Sequence, residues 1–170
     1  PHLGVRFRRP QRPVSWWMRG VFVACCALLL SGCESDRVSI TEPAGADRAA
    51  CTALVKALPK VLDGQLRRPD DPDNALGAAW GDPALVLRCG VGKPAGYDDF
   101  PACDSVNGID WYLPEQAVES QQSDALLTTL GRAPNVELLV PATRRPPAAA
   151  MVQLAEVLKA HTKPASGGCH

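Results

Sequence analysis

Lysine is scarce, at five of 170 residues, and histidine scarcer, at three. The 18 basic residues only balance the 18 acidic ones, so there is no basic field, which argues against nucleic acid as a partner. Several motifs are also missing. There is no Gly-x-Ser-x-Gly elbow, and Gly90-Val91-Gly92 lacks the third glycine of a phosphate cradle. No Cys-x-x-Cys pair exists, which removes a zinc ribbon and a thioredoxin-like redox site. Asp71 and Asp73 approach the pattern of a calcium loop, but Pro72 and the missing Gly and terminal Glu break it, so no metal and no cofactor are expected. The longest apolar run, Val21 to Leu30, has ten residues. At about 1.5 Å each it covers only half of a ~30 Å hydrocarbon core. No internal repeat is visible. A hydrophobic content of 46% nevertheless excludes a disordered chain.

The charge is unevenly spread. Residues 1–32 carry five Arg and no acid, leaving 13 basic against 18 acidic residues downstream. Basic residues, then an apolar run, then small residues is the layout of a secretory signal. Leu30-Ser31-Gly32-Cys33 resembles the lipobox of bacterial lipoproteins, whose Cys is diacylated and becomes the mature N-terminus. That chemistry needs a thiol to take the lipid and a small side chain at the cleaved bond. The expectation is a signal peptide over residues 1–32, with translation possible from Met18, and a lipid on Cys33. Residues 33–46 (from Glu34, ESDRVSITEPAGA) read as a polar, flexible, lipidated tether.

Downstream, residues 47–163 read as a single α+β domain, and 164–170 as a tail. Cys51, Leu54, Val55 and Leu58 recur at helical spacing behind a capping Asp47, and Pro59 ends the segment. Arg67 to Pro83 reads as a long connection. Ala84 to Val91 alternates as a half-buried strand, and Asn107-Gly108 marks a hairpin within Asp104–Leu113. A second hairpin runs from Ala125 to Val140 through Gly131–Asn135. Pro146-Pro147 opens a last helix with Met151, Leu154, Ala155 and Leu158 on one stripe. The expected fold is a small antiparallel sheet of four to five strands, with the N-terminal and C-terminal helices packed on one face.

Four cysteines remain in the mature body: Cys51, Cys89, Cys103 and Cys169. An even number in an exported domain points to two disulfides. Of the three connectivities, Cys89–Cys103 and Cys51–Cys169 are favoured by position.

No catalytic constellation is evident. His161 lies near a helix end, and Asp70/Asp71 and Asp98/Asp99 read as solvated loop charge. The candidate ligand-binding residues are Trp80, Asp82, Arg88, Asn107, Asp110, Trp111 and Arg132, a set able to line a groove for an anionic or glycan ligand. The competing reading puts both Trp in the core, pairs Arg88 with Asp82 or Asp110, and leaves Arg132 capping a turn.

The runs Ala79-Trp-Gly-Asp-Pro83, Leu87-Arg-Cys-Gly-Val91 and Val106-Asn-Gly-Ile-Asp-Trp111 carry a resemblance. With Ala57-Leu-Pro59, Asp63-Gly64-Gln65, Arg67-Arg68-Pro69, Thr128-Thr129, Gly131-Arg132, Val136-Glu137 and Val140-Pro141, they cover most of residues 50–160. The chain resembles domain-of-unknown-function family 3515, an actinobacterial family of exported proteins. The resemblance implies an actinobacterial envelope protein and carries over no catalytic residue. The expected role is a non-catalytic binding or accessory module on the outer face of the plasma membrane, with a lipid anchor and an envelope protein or glycan as partner. A secreted domain is the alternative location. The alternative function is an envelope hydrolase or transferase using Asp82 and Asp110 near the two Trp.

Overall fold

The computed structural model describes residues 37–94, 96–97 and 102–169. The expected signal segment, Cys33, the Asp98/Asp99 pair and His170 lie outside these residues. Helix α1 (Arg48–Ala57) forms where the apolar spacing called for it, and Asp47 caps it by accepting from the Ala50 N–H at 3.0 Å. That bond satisfies one of the donors orphaned at a helix start. Cys51, Leu54 and Val55 face inward from α1. The last helix, Ala148–His161, buries Met151, Leu154, Ala155 and Leu158 as one stripe. Thr162 closes it, its backbone N–H and its hydroxyl both donating to Leu158 O.

The sheet is larger than expected, with six strands. In chain order the elements before it are β1 (Val38–Ser39), α1, the small hairpin β2 (Val61–Leu62) and β3 (Gln65–Leu66), and β4 (Asp70–Asp71). The sheet strands are β5 (Gly77–Trp80), β6 (Leu85–Val91), β7 (Cys103–Val106), β8 (Ile109–Tyr112), β9 (Ala125–Leu130) and β11 (Asn135–Val140). They lie in the order β5-β6-β11-β9-β8-β7, with every neighbouring pair antiparallel. Between β8 and β9 sits a short helix, α2 (Glu115–Glu119), and the last helix is α3. The extra strand, β5, lies inside the stretch read as a connection. Its residues Gly-Ala-Ala-Trp are all buried, so it shows no alternation to read.

The β7–β8 turn is the expected one: Asn107 and Gly108 both hold positive φ, at 51° and 77°, which a two-residue type I′ turn requires. The β9–β11 connection is more structured than expected. Within it β10 (Arg132–Ala133) pairs with β12 (Lys163–Pro164), just beyond α3. Gly90, at φ +89°, bulges β6 where Val91 and Cys89 face successive residues of β11.

Register sorts the side chains into two faces. Ala78, Leu87, Leu138 and Leu127 align across four strands on one side and join α1 and α3 in the core. On the other side Gly77, Arg88, Glu137, Thr128 and Tyr112 form a second row. Both long helices thus pack on one face and leave the other uncovered.

Two further expectations are corrected. The disulfides join Cys51 to Cys89 and Cys103 to Cys169. The first binds α1 to β6 inside the core and the second binds the C-terminal tail to β7, so neither links the two helices. On the chain-entropy model, loops of 38 and 66 residues give each bridge about 4 kcal/mol. The segment read as a tether is docked from β1 onward: β1 runs parallel to β4, and Ile40 is 3% exposed.

Candidate functional site

The residues singled out in the sequence do not meet in one place. Trp80 and Trp111 are both fully buried. Trp80 Nε1 donates to Pro59 O at 2.9 Å, while Trp111 Nε1 has no acceptor among the described residues. Arg132 Nε donates to Thr162 Oγ1 and its Nη2 to Thr162 O, both at 2.8 Å, holding the end of α3. Asp82 is exposed and lies 3.9 Å from Arg68. Asp110 accepts from the Cys169 N–H at 3.0 Å. Asn107 serves its turn. Strands β5 and β8 are four places apart in the sheet, about 19 Å at the usual strand spacing, so Asp82 and Asp110 do not converge. Of the set, Arg88 lines a large groove.

That groove, of about 1260 Å³, lies on the face the long helices leave open. Its floor is the second cross-strand row. Arg88 on β6 donates to Glu137 on β11, and Thr128 on β9 and Tyr112 on β8 continue the line. The Glu137 side chain is only 10% exposed and that of Arg88 34% exposed, so the carboxylate lies deep and the guanidinium reaches toward solvent. Directly opposed opposite charges on neighbouring strands stabilise each other, and the partly buried setting screens them less than a surface pair.

Two segments wall the groove. The chain beyond β6 lines one side with Lys93, Pro94 and Gly96. It brings Tyr97 to a tilted contact with Tyr112, ring centroids 6.1 Å apart, and sets Lys93 Nζ 5.0 Å above the Tyr97 ring. The other wall is α2, which presents Glu115 and Glu119. The C-terminal tail fastens the far side, with Tyr97 Oη donating to Gly167 O at 3.5 Å and Cys169 bridged to Cys103.

The lining offers a carboxylate, a guanidinium, a hydroxyl and aromatic surface at once, three acids against two bases. Such a floor suits a neutral polar ligand rich in hydroxyl or amide groups, held by a few convergent hydrogen bonds. Among the described residues no cluster of three or more His, Cys, Asp or Glu could hold a metal, and no helix is long and apolar enough to cross a membrane.

Sequence reasoning missed Glu137, Thr128, Tyr112, Lys93, Glu115 and Glu119. A signal existed for one of them. Glu137 is a lone acid in Val-Glu-Leu-Leu-Val, as Arg88 is a lone base in Leu-Val-Leu-Arg-Cys. Two lone charges in otherwise apolar strands are natural partners, but strand order is needed to pair them.

The family model described as Protein of unknown function (DUF3515) matches residues 18–166. The chain belongs to the DUF3515 family. The match spans every element of the groove floor and both walls, so the groove is built from the family domain. No curated protein and no solved structure matches this DUF3515 chain.

Proposed function

We propose that this DUF3515 protein is an extracytoplasmic lipoprotein, held at the outer face of the plasma membrane by a lipid on Cys33. Its domain binds a neutral polar ligand of the envelope, a glycan or a peptide-like chain, without transforming it. The observation that carries the binding role is the row Arg88, Glu137, Thr128 and Tyr112 along the floor of the groove, with the Arg88 guanidinium reaching toward solvent. Support for the anchor is the box Leu30-Ser31-Gly32-Cys33 after a ten-residue apolar run. The alternative of a hydrolase or transferase using Asp82 and Asp110 lacks a convergent acid pair.

The test is native mass spectrometry of the protein extracted by detergent from membranes of a bacterium that expresses it. The expected species is a chain beginning at Cys33 with a diacylglycerol-sized adduct and a further bound mass. Thr128→Tyr, which fills the groove floor, should lose the bound mass and keep the lipid. Cys33→Ala should release the protein from membranes. A bare chain beginning elsewhere would remove the anchor, and a bound mass indifferent to Thr128→Tyr would remove the groove.

A further inference from the structure

We infer that the β2–β3 hairpin is a membrane-contact surface, seated on the headgroups of the same bilayer that holds the lipid on Cys33. The inference rests on the anchor proposed above and adds where the domain meets the membrane.

Val38 N–H donates to Pro69 O at 3.0 Å, Ile40 N–H donates to Asp71 O at 2.9 Å, and Arg37 Nη1 donates to Asp70 O at 2.8 Å. The chain is therefore docked from Arg37 onward, four peptide steps after Cys33. Four extended steps span at most about 14 Å. A lipid on Cys33 brings the headgroup surface within that distance of β1.

Because β1 runs parallel to β4, with Val38 beside Asp70, the chain enters β1 from the side of Arg68, Arg67 and Leu66. Those residues run along the β5 edge, with Arg68 N–H donating to Ala79 O and Gly81 N–H to Leu66 O. Leu66 lies four residues from Asp70, about 13 Å along an extended chain, which is within reach of the anchor.

Val61 and Leu66 are cross-strand partners, 47% and 73% exposed, while Leu62 between them turns the other way and is fully buried. Leu66 is the most exposed large hydrophobic among the described residues. Lys56, at the end of α1, and Lys60, beside Val61, are both exposed. The nearby acids are Asp63 at the hairpin turn, Asp82, which lies by Arg68, and the β4 pair Asp70 and Asp71, of which Asp70 is held by Arg67 at 3.2 Å. Apolar side chains flanked by lysines match the boundary between acyl chains and anionic headgroups.

The experiment uses the full chain with its signal, purified from bacterial membranes and reconstituted in phosphatidylglycerol–phosphatidylcholine vesicles with and without brominated acyl chains. Leu66→Trp reports on the hairpin. Val118→Trp, on α2 beside β9 and remote from the β5 edge, is the control, and Trp80 and Trp111 form a buried background common to both. Vesicle flotation and intact mass are read on the same samples. The expected result is a lipidated, floating protein whose Leu66→Trp emission is mostly lost in brominated vesicles while that of Val118→Trp is kept. A lipidated, floating protein with both reporters quenched alike, or neither, keeps the anchor and overturns the contact. A blue-shifted but unquenched Leu66→Trp overturns it too, because the hairpin then docks on protein. A chain without lipid that does not float removes the anchor and the contact together.

Discussion

Trp80 and Trp111 have the same residue type and the same complete burial, yet their indole N–H groups meet opposite fates. Replacing each with Phe separates the hydrogen bond from the packing. Either change leaves a void of roughly 40 Å³, which at about 24 cal/mol per Å³ costs about 1 kcal/mol. At Trp80 the change also removes the bond to Pro59 O and leaves that carbonyl without its donor. An unmade buried hydrogen bond adds about 1–3 kcal/mol, so Trp80→Phe should cost about 2–4 kcal/mol. At Trp111 the change removes an N–H that has no acceptor among the described residues. Relief of that desolvation offsets the void, so Trp111→Phe should fall between neutral and a loss of about 1 kcal/mol. Urea denaturation of both variants, disulfides intact, checks the ordering. Equal losses would mean that the Trp111 N–H has an acceptor in the native protein and is not orphaned.

Three other outcomes are expected. Peptide mapping of the unreduced protein should give Cys51–Cys89 and Cys103–Cys169, and graded dithiothreitol with alkylation should open Cys103–Cys169 first, since Cys51 and Cys89 are fully buried. Arg88→Ala should destabilise more than Glu137→Ala, by about 1–3 kcal/mol in denaturation midpoints, because it strands the deeper of the two charges. Equal losses would show that the carboxylate is better hydrated than its burial implies. Gly90→Ala places a Cβ 2.4 Å from the Ala46 Cβ at φ +89°, so thermal melting should show a loss of at least about 2 kcal/mol. A neutral result would mean that the bulge and the chain around Ala46 shift freely.

Local signals carried much of the fold. The stripe of α3, the Asp47 cap and the Asn107-Gly108 turn were legible because each is decided within a few residues by capping, helical spacing or backbone conformation. Strand β5 was not, since burial on both faces erases the alternation that marks a strand. Elements such as α2 and β10 are too short to show a period. What belongs to the sequence alone is the helix and hairpin set, the four cysteines beyond Cys33 and the run Leu30-Ser31-Gly32-Cys33.

Only tertiary structure decided the cysteine partners, since position in the chain does not say which strand passes under α1. It buried both Trp, for which the sequence offered a groove and, as the competing reading, the core. It also set β6 beside β11, bringing Arg88 to Glu137 across 49 residues of chain. Strand order is a property of the whole packed sheet, chosen by the burial of every strand together, and no local pattern encodes it. The groove depends on that order, and so does the face on which it opens.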